Sequence, residues 1–345
     1  MFQSRKFKGG VAPVLFAASL IAMTAATTSG AQAGQCLLGG GIKHVVHLQF
    51  DNVHLRRDNP NVPSDLEQMP NLLNFLTKNG TVSGNHYTGL ISHTAVDLVT
   101  GMTGLYADRN GIPVSNSYRV FDASGHPTGS HSDFIYWTTK DVTDGSPVLL
   151  DNNGKNAPAP WVSFTRAGCD VGAFSVADID FETLPGDIAT VFGTSSTQYA
   201  NVVAQLASSV AKTKAKPTAD WIGVAVHCAQ GSPRCAAGGP DALPDEAGGY
   251  TGFNALFGNI DVQPAISPSG PVKALDGSVI ADSYGNPGFP GFNPTASQSL
   301  GYVATMLEAG IPVVCLYCAD ARQPRPHLGH ELHFRSWRSS LCGAE

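Results

Sequence analysis

Short apolar runs of strand length alternate with segments of helical spacing along most of this chain. That alternation restricts the fold more than any other feature. Ile42-Lys-His-Val-Val-His-Leu-Gln-Phe50 reads as a first strand, with Val46, Leu48 and Phe50 on one face. A helix follows over Pro70 to Asn79, with Pro70 near its first position, Leu72, Leu73 and Leu76 as its buried stripe, and Gly80 as its stop. Phe174 to Ala177 and Trp221 to Val226 read as strands that end at Asp178 and His227. Tyr199, Val202, Val203, Leu206 and Val210 recur at helical spacing. So do Leu300, Val303, Ala304 and Leu307, closed by Gly310. Val313 to Tyr317 is the last strand, with Asp320 just beyond it. Strands separated by helices predict an α/β fold with a mostly parallel sheet covered on both faces. Ala229 to Pro294 is rich in Gly and Pro and weakly periodic. It reads as long ordered loops over the carboxyl edge of the sheet, where open α/β folds bind ligands.

Charge and cysteine usage exclude some function classes. The chain has 345 residues, is 42% apolar and 14% charged, and carries a net charge of −6. No Lys/Arg stripe interrupts its body, so no nucleic-acid partner is expected. Arg5, Lys6 and Lys8 precede an apolar stretch from Val11 to Ala26, and Ala31-Gln32-Ala33 offers a small-x-small cleavage site. This reads as a leader over residues 1–33, removed on export to a secreted or periplasmic location, and no later stretch is apolar enough for a membrane span. All seven cysteines lie after that point. Export permits disulfides. Cys228 and Cys235 flank a Gly-Ser-Pro turn and form the best local pair. Cys315-Leu-Tyr-Cys318 has a redox spacing but sits inside an apolar run, so it reads as two buried thiols.

Chemistry concentrates in two places. Asp51 and Asn52 end the first strand, where a carboxylate can hold a hard or borderline cation. Downstream runs Ser92-His93-Thr94-Ala95-Val96-Asp97-Leu98-Val99-Thr100-Gly101-Met102-Thr103-Gly104-Leu105-Tyr106-Ala107-Asp108-Arg109-Asn110-Gly111. Thr94 is suited to cap a helix there, and the backbone N–H groups and dipole of such an end favour an alkoxide and a nearby phosphate. Ser92 is the second choice for the same role.

This run resembles the nucleophile segment of the alkaline phosphatase superfamily, above all its sulfatase and nucleotide pyrophosphatase/phosphodiesterase branches. There a Thr, Ser or modified Cys opens a helix that a Thr-Gly-Leu-Tyr-like turn closes. The strand ending in Asp51 resembles the position of that superfamily's first metal-binding carboxylate. Over residues 41–320 the resemblance implies an alkaline phosphatase-like three-layer α/β sandwich. It implies two-step hydrolysis of a small-molecule phosphate or sulfate ester, with Thr94 as nucleophile. Asp51, Asn52, Thr94 and Asp320 would hold a divalent metal, Zn²⁺ by family expectation, with Mn²⁺ and Ca²⁺ open. Asp97 stands where phosphodiesterase relatives carry an Asn that contacts substrate, and Asn110 where relatives carry His. His227 and the Asp245-Glu246 turn are candidates to line the substrate pocket, against a plain solvated-turn reading.

After Asp320 the relatives continue with further Asp and His ligands. Residues 321–345 instead carry four arginines, with His327, His330 and His333, and Glu331 is the one acid before Cys342. A divergent ending, a truncation and a frame change all fit this atypical tail. The competing reading is accordingly a non-catalytic relative that binds without turnover. A Ser hydrolase of another fold lacks its Gly-x-Ser-x-Gly elbow.

Overall fold

The computed structural model describes residues 36–50, 53–84, 94–110, 117–132, 158–175, 189, 193–210, 223–241, 253–282, 284–291 and 294–318. All of them belong to the compact unit Ala33–Glu345. The described fold is α/β around a six-stranded mixed sheet, ordered β1 (Val45–Phe50), β8 (Val313–Cys318), β4 (Val171–Phe174), β5 (Val224–His227), β7 (Asn254–Phe257) and β6 (Gly239–Pro240). Strands β2 (Ser117–Phe121) and β3 (Pro127–Ser132) form a separate antiparallel pair.

Strand β8 is the axis of the sheet. It pairs in parallel with β1 on one side and β4 on the other, and all six of its residues are buried. Its Val-Val-Cys-Leu-Tyr-Cys sequence is the near-continuous apolar run that a strand covered on both faces requires. Alternate residues point to opposite faces. Val313, Cys315 and Tyr317 join one core with Val96 and Leu98 of α3 (Thr94–Thr103), Trp161, Val162 of α5 (Val162–Arg166) and Val202 of α6 (Thr197–Val210). Val314, Leu316 and Cys318 join the other with Val262 and Ile266 of α7 (Asn259–Ile266) and Tyr302, Val303 and Met306 of α8 (Ala296–Glu308). Helices thus cover both faces.

The parallel character stops at β4. The pairs β4–β5, β5–β7 and β7–β6 are antiparallel, so the expected parallel arrangement is confined to β1, β8 and β4. Strand β7, α7 and the short β6 all lie in the stretch read as loops, which corrects that reading. One boundary and two burial patterns also differ. Strand β4 spans Val171–Phe174 and ends at buried Ser175, whose φ of 52° breaks the extended chain while its N–H donates to Gly223 O at 2.8 Å. Val46 and Leu48 share a face as expected, but at the sheet's edge they are 42% and 37% exposed. In α2 (Pro70–Asn79) Leu72, Leu73 and Leu76 are half-buried, not enclosed.

Among the described residues two disulfides tie the fold. Cys228–Cys235 is the pair expected from spacing, and Cys36–Cys169 spans a separation of 133 residues. Cys315 and Cys318 are buried and in neither disulfide, on opposite faces of β8. Among the described residues no helix is long and apolar enough to cross a membrane.

Candidate functional site

The register of β1 against β8 sets the first candidate site. Val45 pairs with Val313 and Phe50 with Cys318, the last rung of this pair among the described residues. Asp51 and Asn52 come directly after Phe50 in sequence, and Asp320 comes two residues after Cys318; all three lie outside the described residues.

Helix α3 lies against β1. Val96 and Leu98 are 1% and 5% exposed and bury its inner stripe. The Gln49 side chain on β1 donates from Nε2 to Leu98 O at 3.4 Å. Gly101 permits this approach, because a β-carbon there would lie 2.6 Å from that same Nε2. The helix begins at Thr94, whose side chain lies outside the described residues, as do Ser92 and the Asn110 side chain. Asp97 is half-buried in the first turn, where an acid complements the positive end of the helix. The expected Thr-Gly stop is present. Gly104 takes φ 71°, its N–H donates to Thr100 O at 2.8 Å, and Leu105 N–H donates to Thr103 Oγ1 at 3.1 Å.

His47 sits two residues before Gln49, half-buried, in the rung of Cys315. Burial pushes its imidazole below the usual range, which favours the neutral ring.

His227 lies away from the rung of Phe50 and Cys318. Strand β5 runs antiparallel to β4, so His227 pairs with Val171, which pairs with Val313, which pairs with Val45. It therefore stands at the rung where β1 begins. The rung of Phe50 and Cys318 is five residues further along, about 16 Å at 3.3 Å per residue. Nor is it a solvated turn residue. His227 is fully buried, with Nδ1 2.7 Å from Asp241 Oδ2. Its ring stacks on Trp161 at 3.9 Å and 11°, and Phe257 meets it edge-on at 5.9 Å. The antiparallel turn of the sheet at β5 carries His227 away from the metal-candidate edge. Asp178, Asp180, Asp245, Glu246, His327, His330 and His333 lie outside the described residues.

A second network at this lower edge carries no motif. Asp170, next to the Cys36–Cys169 disulfide, accepts from Ala229 N–H and Ser232 Oγ, both at 2.9 Å, and from Arg234 Nε at 3.3 Å. The same guanidinium donates to Ala265 O at 3.3 Å and Ala309 O at 2.8 Å, at the C-terminal ends of α7 and α8. A cation there complements the helix dipoles and satisfies carbonyls that the helices leave unpaired. The pairing of residues 64 apart left no local signal in the sequence.

Among the described residues no group of three or more His, Cys, Asp or Glu side chains is placed to hold a metal ion. Comparison with family profiles, curated proteins and solved structures finds no match to this chain.

Proposed function

We propose that this chain is an exported, metal-dependent hydrolase of phosphate or sulfate esters, built on an alkaline phosphatase-like three-layer sandwich, with Thr94 as nucleophile. The observation that supports it is the pairing of Phe50 with Cys318 in the parallel β1–β8 register. From that rung the chain continues into Asp51 and Asn52 on one strand and toward Asp320 on its neighbour. The helix that opens at Thr94 packs on the first of these strands through Gln49. The two disulfides suit an oxidising compartment.

Asp51, Asn52, Asp320 and Thr94 offer oxygen donors alone. That set fits a hard divalent cation, so Mn²⁺ and Ca²⁺ suit it at least as well as Zn²⁺, which favours nitrogen and sulfur. A bound cation would lower the Thr94 hydroxyl's pKa and neutralise charge on the ester. Thr94 Oγ would lose its proton to water and attack the phosphorus or sulfur in line, and the bond to the leaving alcohol would break as that oxygen takes a proton from water. Water then cleaves the threonyl ester, restoring the hydroxyl and releasing phosphate or sulfate. The first-turn N–H groups of α3 face the transferring group's oxygens. Asp97, also in the first turn, would accept from a substrate hydroxyl.

Metal analysis of the purified chain, together with turnover of chromogenic phosphate monoester, phosphate diester and sulfate ester, tests this reading. Bound divalent metal and a turnover lost both in EDTA and in Thr94→Ala are expected. A metal-free chain that hydrolyses none of the three esters would overturn it. Bound metal without turnover would reassign the site to binding.

A further inference from the structure

Strand β1 ends the sheet, and nothing in its sequence keeps such an edge solitary. Among the described residues it is terminal in the strand order and pairs with β8 alone. A terminal strand offers its outer backbone N–H and C=O groups to any strand that approaches, and chains that stay single blunt it with a charge, a proline or a bulge. Val-Val-His-Leu-Gln-Phe carries no Lys, Arg, Asp or Glu, no proline and no glycine. Its register against β8 runs unbroken over all six residues. Burial pushes the His47 imidazole below its usual range, away from the charged form. The face that α7 and α8 cover elsewhere is open here. Val46 and Leu48 are exposed, whereas Val314 and Leu316 beside them on β8 are fully buried. Ile42, just before the strand, is exposed as well.

We infer that this edge is the docking surface for a second copy of the same chain, whose β1 adds antiparallel and continues the sheet through both protomers. The strand suits this occupant because it is complementary to itself. A two-fold axis normal to the sheet leaves each face on its own side. With Leu48 at that axis, Leu48 meets the partner's Leu48, Val46 meets the partner's Phe50, and His47 meets the partner's Gln49. Apolar side chains then face apolar ones, and polar face polar. A one-residue slip would set the apolar row against the polar one. An axis along the strands would run the copies parallel and mix the two faces in the same way. Charge favours the antiparallel arrangement too. The segment is basic before the strand, at Lys43 and His44, and acidic after it, at Asp51. Reversing one copy brings opposite charges together at both ends, where a parallel pair would bring like to like.

Sedimentation velocity of the purified chain from about 1 μM to about 100 μM tests this. A dimer is expected in the upper part of that range. Leu48→Lys sets two ammonium groups face to face at the axis and should weaken association at least about tenfold. Val46→Lys should weaken it in the same direction. Both side chains are exposed, so both variants should keep the wild-type thermal midpoint at the lowest concentration. Phe75→Lys changes an exposed apolar side chain on α2 and should leave the dimer as it is. The register has its own readout. In a Cys342→Ala background, Leu48→Cys should cross-link to itself on mild oxidation, and Val46→Cys should cross-link only when mixed with Phe50→Cys. A wild-type chain that sediments as a monomer throughout sinks the inference. A dimer that survives both lysine variants on β1 also sinks it, by placing the interface elsewhere. A dimer lost equally in Phe75→Lys reduces it to unspecific apolar association. None of these outcomes alters the hydrolase reading, which rests on other residues.

Discussion

Phe50 and Cys318 face each other across the last rung of the parallel β1–β8 pair among the described residues. Both are packed on the side of the sheet covered by α7 and α8, so that rung is anchored in the core. The chain that leaves it on each strand therefore starts from fixed points one strand spacing apart, about 4.8 Å. The metal proposal takes this rung as its starting point, because Asp51 follows Phe50 by one residue and Asp320 follows Cys318 by two.

Asp51→Ala and Asp320→Ala should each lower bound divalent metal, and the double variant should be little worse than the weaker single. Residues that serve one ion act as a unit and are not additive. Metal titration of the three variants checks this. Independent, additive losses would place the two carboxylates in separate sites.

Asp241→Ala should destabilise the protein by about 3 kcal/mol, because it strips the buried His227 Nδ1 of its partner. Urea unfolding measures the loss. The folded fraction should keep wild-type metal affinity, since His227 stands at the rung of Val45 and not at that of Phe50. Metal affinity that falls with Asp241 would join the two edges functionally.

Cys318 sets a pH dependence. Burial pushes its thiol from 9.0 up to about 12, so the folded chain holds this proton where the unfolded chain has released it. Its contribution to stability is whole below pH 9, declines above it by about 1.4 kcal/mol per unit, and is gone by about pH 12. The stability difference between wild type and Cys318→Ala should shrink with that slope over pH 9 to 11. A flat difference would show that the thiol ionises in place. Native Cys318 should likewise resist alkylation at pH 8.

Arg234→Met and Arg234→Lys should both lose about 2 kcal/mol or more of unfolding free energy. A lysine ammonium cannot reach Asp170 Oδ2, Ala265 O and Ala309 O with a planar fork. Recovery of wild-type stability by Lys would reduce the guanidinium to its charge.

Local signals in the sequence were legible where one residue determines the outcome. Pro70 opens α2 and Gly80 caps it, Gly104 and Gly310 take φ of 71° and 82° just past α3 and α8, and Cys228 pairs with Cys235. The apolar run of β8 was legible for the same reason. Pairings between distant segments were not. Strands β5 and β7, of four residues each, read alike whether parallel or antiparallel, and their direction decides which edge His227 occupies. Helix α7 was hidden by Pro264 inside it and Gly258 before it. Asp241, fourteen residues from His227, carries no motif that singles it out among nearby acids. For the metal-candidate edge, sequence supplied the residues and the structure contributed the rung they leave from.

The two disulfides impose an order on maturation. Cys228 and Cys235 are seven residues apart and can oxidise as soon as their own turn enters an oxidising space. Cys36 must wait for Cys169, 133 residues behind it. A chain synthesised from its N-terminus thus presents a lone thiol while strand β1, helices α2 and α3, and the β2–β3 pair are made. During that interval Cys36 is open to exchange with any disulfide catalyst or neighbouring chain, and its correct closure reports that β4 has arrived.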